Sequence, residues 1–272
     1  MMIEQLTQLQ VINSSANPRF KQLGKLISSK RERKQTGLIV LDGMHLLTSA
    51  KQQQQLPVDI YLSESGLSNQ EILDFLSDLE RPRITLFSDV LFSQLTELSS
   101  QTGIMATLPL PQELPLHAND KQDYLVLDGV QDPGNVGSIL RTAAAAGVSQ
   151  VVLSTACADA WSPKVLRAGM GAHFSLSIHM VSDVANWLRT LEHGVKRVVT
   201  SLQARSSLFD VDLTGPVAWV FGSEGAGVSE EVERVCETPV LIPMIGMTES
   251  LNVGAAAAVC MFEQLRQRTK AN

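Results

Sequence analysis

Residues 242–262 read IPMIGMTESLNVGAAAAVCMF. They continue an apolar strand, Pro239-Val240-Leu241-Ile242, and turn through Pro243 and Gly246. They then enter a helix with an inward face of Gly254, Ala255, Ala256, Ala257 and Ala258. Ser250 or Asn252 offers the short side-chain oxygen that can accept from the free N–H groups of a first helical turn. A face with so little bulk buries little apolar area on its own. It makes sense where another stretch of backbone comes very close. Residues 220–228, VFGSEGAGV, repeat the theme: an apolar strand running into a glycine-rich turn.

Working outward, the chain is 272 residues long, enough for one large or two modest domains. Hydrophobic residues make up 44%, ordinary for a protein with a full core. No apolar run approaches the roughly 20 residues of a membrane helix. The start, MMIEQLTQLQ, lacks the basic and apolar blocks of a secretory signal. Cys157, Cys236 and Cys260 lie far apart, with neither metal-ligand nor disulfide spacing. They read as structural thiols in a reducing, cytoplasmic setting without a metal. Net charge is −6, yet Arg19, Lys21, Lys25, Lys30, Arg31, Arg33 and Lys34 crowd together with only Glu32 opposing them. A local basic patch binds phosphate backbone whatever the global charge, and a solvated helix face is the plainer alternative.

In chain order, 18–33 has the spacing of one basic amphipathic helix, with Phe20, Leu23, Leu26 and Ile27 on one side and Gly37 as its stop. Strands are expected at 38–42, 59–62 and 83–87, and helices at 71–79 and 89–98. Residues 108–120, LPLPQELPLHAND, carry three prolines and read as a linker. The second half alternates again. Strands fall at 124–127, 150–154, 174–179, 197–201, 217–221 and 239–242, and helices at 136–146, 162–168, 184–191 and 229–235. Strands alternating with helices give α/β units and a parallel sheet that takes ligands at its carboxyl edge. Three loops would meet there, at 128–141, 221–227 and 242–254. Gly222, Gly225 and Gly227 do not spell the dinucleotide fingerprint, and no P-loop lysine or nucleophile elbow is present.

The stretches NVGSILRTAAAAGV (135–148), VFGSEGAGVSEEV (220–232) and IPMIGMTESLNVGAAAAV (242–259) resemble, in order and spacing, the three motifs of the SpoU or TrmH RNA 2′-O-ribose methyltransferases of the SPOUT class. The likeness covers 123–268. The first part, with SSANPRFKQLGKL and KQTGLIVLDGMHLL, is similar to the substrate-binding domain that often precedes that catalytic domain. Asp42 stands where a glutamate is more usual, and Leu38 where an aromatic is common. The resemblance implies an α/β chain divided as 1–107 (substrate RNA binding), 108–120 (linker) and 121–272 (methyltransferase). It also implies a deep trefoil knot in the catalytic part and a homodimer with the site near the subunit contact.

It implies S-adenosylmethionine as cofactor, held by Gly222, Ile242 and Leu251, with Met244 and Ser250 as neighbours. The catalytic set would be Arg141, Asn135, Glu224 and Asn252. Arg141 would grip the RNA phosphate bidentately, because an arginine side chain is a poor base. Asn135 would fix Arg141 or the ribose, Glu224 would orient the arginine or the loop, and Asn252 with Ser250 would shape the third loop. RNA would lie on Arg19, Lys21, Lys25, Arg31 and Lys34. Ribosomal RNA is favoured over transfer RNA. A non-catalytic RNA-binding protein and a nucleotide-dependent oxidoreductase are the competing classes, and the second lacks its fingerprint.

Overall fold

The computed structural model describes residues 6, 8–80, 82–96, 102–112, 116 and 122–271. It forms two compact units: Met1–Pro111 with Trp161–Phe174, and Gln112–Ala160 with Ser175–Asn272. The short helix Pro163–Gly169, read from sequence as part of the second half, therefore groups with the first unit. Its Leu166 lies in that unit's core, and its Arg167 pairs with the buried Asp42 at 3.4 Å.

The first unit is built on a five-stranded mixed sheet. In chain order its elements are β1 (Val11–Ile12), α1 (Pro18–Ser28), α2 (Lys30–Thr36), β2 (Leu38–Asp42) and α3 (Met44–Gln52). There follow β3 (Asp59–Ser63), α4 (Gln70–Ser77), β4 (Arg83–Phe87), α5 (Asp89–Ser93) and β5 (Ile104–Pro109). The spatial order is β1-β4-β3-β5-β2. Alternation along β2 sends Ile39 and Leu41 to one core, with α3 and α4, and Val40 to the other, under α1 and α5.

Three expectations change in this unit. The linker 108–120 starts inside β5, because Leu108 and Pro109 pair antiparallel with Ile39 and Leu38; residues 113–115 and 117–120 lie outside the described residues. The helix expected over 89–98 stops at Ser93, and 97–98 are likewise outside. The single helix over 18–33 is two helices. Ser29 is extended (φ −122°, ψ 113°), ends α1 by donating its N–H to Lys25 O, and caps α2 by accepting from Glu32 N at 3.2 Å. Arg33, counted in the basic surface, is instead buried at 4% exposure.

The second unit carries a seven-stranded sheet, every pairing parallel. Its elements are β6 (Tyr124–Asp128), α6 (Pro133–Ala146), β7 (Gln150–Ser154), β8 (Ser177–Val181), α7 (Val184–Thr190), β9 (Lys196–Thr200) and β10 (Ser206–Ser207). Next come β11 (Val217–Gly222), α8 (Glu230–Glu233), β12 (Thr238–Leu241) and α9 (Val253–Ala271). The order β10-β12-β9-β11-β6-β7-β8 puts β11 at the centre, flanked by β9 and β6. The strand expected at 174–179 begins at Ser177, since 172–175 form a 3₁₀ turn. Apolar residues of β6, β9 and β11 meet α7 on one face, including Tyr124, Val126, Val199 and Val220.

Helices α6 and α9 pack together. A Cβ on Gly254 would lie 2.8 Å from Ser138 Oγ, so α9 comes hard against its neighbour at Gly254; of the small face read from sequence, Gly254 and Ala257 are buried while Ala255 is exposed. At its far end α9 is clamped. Arg268 forms a bidentate pair with Asp123, at 2.5 and 2.9 Å. Gln264 donates to the same carboxylate at 2.9 Å and accepts from Trp219 Nε1 at 2.6 Å. All three cysteines are free and buried, and burial pushes the thiols of Cys236 and Cys260 up to about 12.

Candidate active site

Because the sheet is parallel, β6, β9, β11 and β12 all end on one edge. Two adjoining cavities open there. One, of about 140 Å³, is lined by Thr200, Leu202, Ile242, Met244, Ser250 and Leu251, among others. The second, of about 300 Å³, is bounded by Gly222, Glu224, Gly227, Ser250, Asn252 and Val253, among others. Thr200, Ser250, Leu251 and Ala256 face both. The first is apolar-walled, the second rich in hydroxyl, carboxylate and amide groups, and such a pair fits a ligand with a flat apolar end and a polar end. Gly222, Ile242, Met244, Ser250 and Leu251, the residues singled out for a cofactor, all line these cavities.

The loop after β11 doubles back so tightly that a Cβ on Gly222 would sit 2.0 Å from Gly227 C. Ser223 and Gly227 close it through paired backbone bonds at 2.8 and 3.0 Å. Gly227 is left-handed (φ 69°), a conformation glycine adopts without strain.

Three side chains tie the three loops together. Asn135 Nδ2 donates to Glu224 Oε1 at 2.8 Å, and Asn252 Nδ2 donates to Asn135 Oδ1 at 3.0 Å. Asn252 Oδ1 in turn caps α9, accepting from Gly254 N at 2.9 Å. Of the two candidate caps, Asn252 makes the bond. Burial raises the Glu224 carboxyl, but the Asn135 amide and the backbone N–H groups of Glu224, Asp132 and Gln131 outweigh it and hold it below the usual carboxylate range. Asp132 Oδ1 caps α6 through Asn135 N at 2.7 Å, which fixes the backbone from which the Asn135 amide projects.

Arg141 stands apart. It is exposed, lines neither cavity, and makes no hydrogen bond or ion pair among the described residues. Asn135 and Glu224 bond each other rather than Arg141. Thr200 and Leu202 were missed because no glycine or turn signal marks the end of β9; the parallel order of the sheet, once known, puts them at the same edge. In the first unit, Lys30, Arg31, Lys34 and Gln35 line a shallow groove. Lys21 and Lys25 are exposed on α1, and Arg19 donates to Thr85 Oγ1 at 2.7 Å. Among the described residues no cluster of His, Cys, Asp and Glu suits a metal, and no helix is long and apolar enough to cross a membrane.

An all-parallel sheet with joined cavities over its carboxyl edge defines an open-sheet α/β protein that takes a ligand at the strand ends. The model of the SpoU rRNA Methylase family matches residues 122–262. An uncharacterized tRNA/rRNA methyltransferase of Synechocystis sp. is 35% identical over 266 residues, covering 96% of this chain and 95% of its own. The 23S rRNA (guanosine(2553)-2′-O)-methyltransferase RlmP of Bacillus subtilis is 32% identical over 253 residues, covering 92% and 97%. The crystal structure of the SpoU methyltransferase AviRb from Streptomyces viridochromogenes, in complex with AdoMet, aligns with a TM-score of 0.83 at 26% identity, covering 93% of this chain and 98% of that one. The chain belongs to the SpoU rRNA methylase family.

Proposed function

We propose that the protein transfers a methyl group from S-adenosylmethionine to a ribose 2′-oxygen of ribosomal RNA, in the cytoplasm. The observation that carries this is the convergence of Gly222, Ile242, Met244, Ser250 and Leu251 on two joined cavities, over loops cross-braced by Glu224, Asn135 and Asn252. Bound there, the cofactor supplies a methyl group already activated by its positive sulfur. The apolar walls of Ile242, Met244 and Leu251 exclude water from one end of it, and backbone at Gly222 approaches closely at the other. The Asn135–Glu224 bond holds the second loop against α6, so the reacting groups meet in fixed geometry. Arg141, without a side-chain partner among the described residues, grips the phosphate beside the target ribose. Arg19, Lys21, Lys25, Arg31 and Lys34 of the first unit hold the RNA backbone.

A homodimer belongs to the same proposal. Ser138, Arg141 and Ala145 form an exposed face of α6, and Ala255 and Phe262 one of α9. These exposed side chains, small but for Phe262 and Arg141, suit a second copy, and Arg141 then stands at the subunit contact. The trefoil knot is proposed as well. The loop at 242–252 shares its cavities with 222–228 and with Thr200, as a tail threaded through a preceding loop would. The test is incorporation of labelled methyl from S-adenosylmethionine into unmethylated ribosomal RNA transcripts, with 2′-O-methyl mapping in RNA from cells lacking the protein. A ribosomal RNA methylation pattern identical with and without it would overturn the proposal.

A further inference from the structure

The basic stretch of the first unit hides a cation that cannot touch RNA. Arg33 is 4% exposed, and its guanidinium folds back to donate to Leu26 O at 2.6 Å and Ile27 O at 3.0 Å. These are carbonyls of the last turn of α1, groups a helix leaves without intrahelical partners. A second bond crosses the same elbow: Gln22 Nε2 of α1 donates to Glu32 Oε1 of α2 at 3.1 Å. It turns the only carboxylate of the stretch towards α1. With Ser29 capping both helices, three independent contacts fix the angle between α1 and α2. The exposed cations sit on either side of that angle, Lys21 and Lys25 on α1, Arg31 and Lys34 on α2 beside half-buried Lys30.

We infer that Arg33 is a positioning residue for RNA capture. It sets the α1–α2 elbow so that Lys30, Arg31 and Lys34 meet the sugar-phosphate backbone in register with Lys21 and Lys25. This rests on the proposed RNA-binding role of the basic surface, and it accounts for a buried arginine inside a patch whose other members are exposed or, at Lys30, half-buried. Phosphate contacts need cations at fixed spacing, and each one formed displaces counterions. An elbow free to swing keeps its charges but loses their register.

The experiment uses the full-length protein, an unmethylated ribosomal RNA transcript, and binding measured across a salt series beside methyl-transfer kinetics. Arg33→Met keeps the aliphatic stem and removes the donors. It is expected to weaken RNA binding about tenfold and to lower the salt slope by about 2, more than the ~0.7–0.9 of one lost phosphate contact. KM for RNA rises while kcat and cofactor affinity hold. In a Lys30→Ala/Arg31→Ala/Lys34→Ala background, Arg33→Met costs nothing further, because it acts through those side chains. Gln22→Leu, which opens the other brace, shifts binding in the same direction and serves should Arg33→Met not fold. If the triple variant weakens binding while Arg33→Met and Gln22→Leu leave both affinity and slope unchanged, the elbow plays no part in capture. If the triple variant itself binds RNA normally, the basic surface is not the RNA site and the underlying reading fails first.

Discussion

Asn135 and Glu224 lie 89 positions apart in sequence, and the amide of one donates to the carboxylate of the other at 2.8 Å. The same Asn135 accepts from Asn252, 117 positions further on. One side chain thus joins the loops that follow β6, β11 and β12, and neither neighbour can replace the other's bond. Asn135→Ala removes both at once and leaves cavity-lining loops without their shared brace. Cofactor affinity should fall about tenfold, near 1.4 kcal/mol, which calorimetric titration measures. Equal affinity in the variant would mean that the loops hold their shape without the relay.

Glu224 gives this brace a pH dependence of definite sign. Its carboxyl is held below the usual range, so the bond's contribution is fully present above the unfolded value and is lost as pH falls through the lower folded value. Cofactor binding should therefore be flat from neutral pH down through the ordinary carboxylate range and weaken only below it. Glu224→Gln should remove that acid limb. An acid limb that persists in the variant assigns it to another group.

Arg141→Ala should abolish methyl transfer and leave cofactor affinity within about twofold. The side chain borders neither cavity and bonds nothing among the described residues, so its loss takes no wall or brace from the cofactor site. Calorimetry showing lost cofactor binding would contradict the phosphate-gripping role.

Glycines of one loop should differ sharply. A Cβ on Gly222 collides with Gly227 C at 2.0 Å and Val228 N at 2.1 Å, both backbone atoms that cannot yield. A Cβ on Gly225 meets nothing within 4 Å. Gly222→Ala should cost cofactor affinity more than about tenfold, and Gly225→Ala less than about twofold. Thermal-shift titration of both variants checks the pair.

What sequence could show was set by how local the cause was. Strands such as β2, β4 and β7 were legible to the residue because apolar runs end at Gly, Asp or Ser. The meeting of three distant loops followed from parallel topology alone. The break at Ser29 was not legible. Two serines inside an amphipathic repeat look continuous, and the elbow is braced by contacts no local pattern shows, among them Arg33 reaching back seven positions to Leu26 O. Strand β5 was hidden by prolines, the first of which, Pro109, is its own last residue, and Thr200 by lacking any turn signal. The relay was hidden too. Asn135 and Glu224 were each assigned the arginine as an alternative partner, and side-chain pairing across 89 positions depends on the packed sheet.

The clamp on α9 separates stability from chemistry. Asp123 accepts from Val217 N, Gln264 Nε2 and both Arg268 nitrogens, at 2.5–2.9 Å. Its side chain is 12% exposed and that of Arg268 33%, so solvent screens part of the pair. Losing one partner of a fully buried pair costs about 3–5 kcal/mol; for this pair about 2 kcal/mol is expected. Asp123→Asn should lower the melting temperature of the second unit by about 4–8 °C. Arg268→Met should do the same, and the double variant should cost less than the sum of the two. The clamp holds the last turns of a 19-residue helix whose first turn carries the cavity wall. Below the transition, cofactor affinity in each variant should therefore match the parent. Additive losses would show that Asp123 and Arg268 stabilise the fold separately. A drop in cofactor affinity at 25 °C would show that the far end of α9 reaches the site.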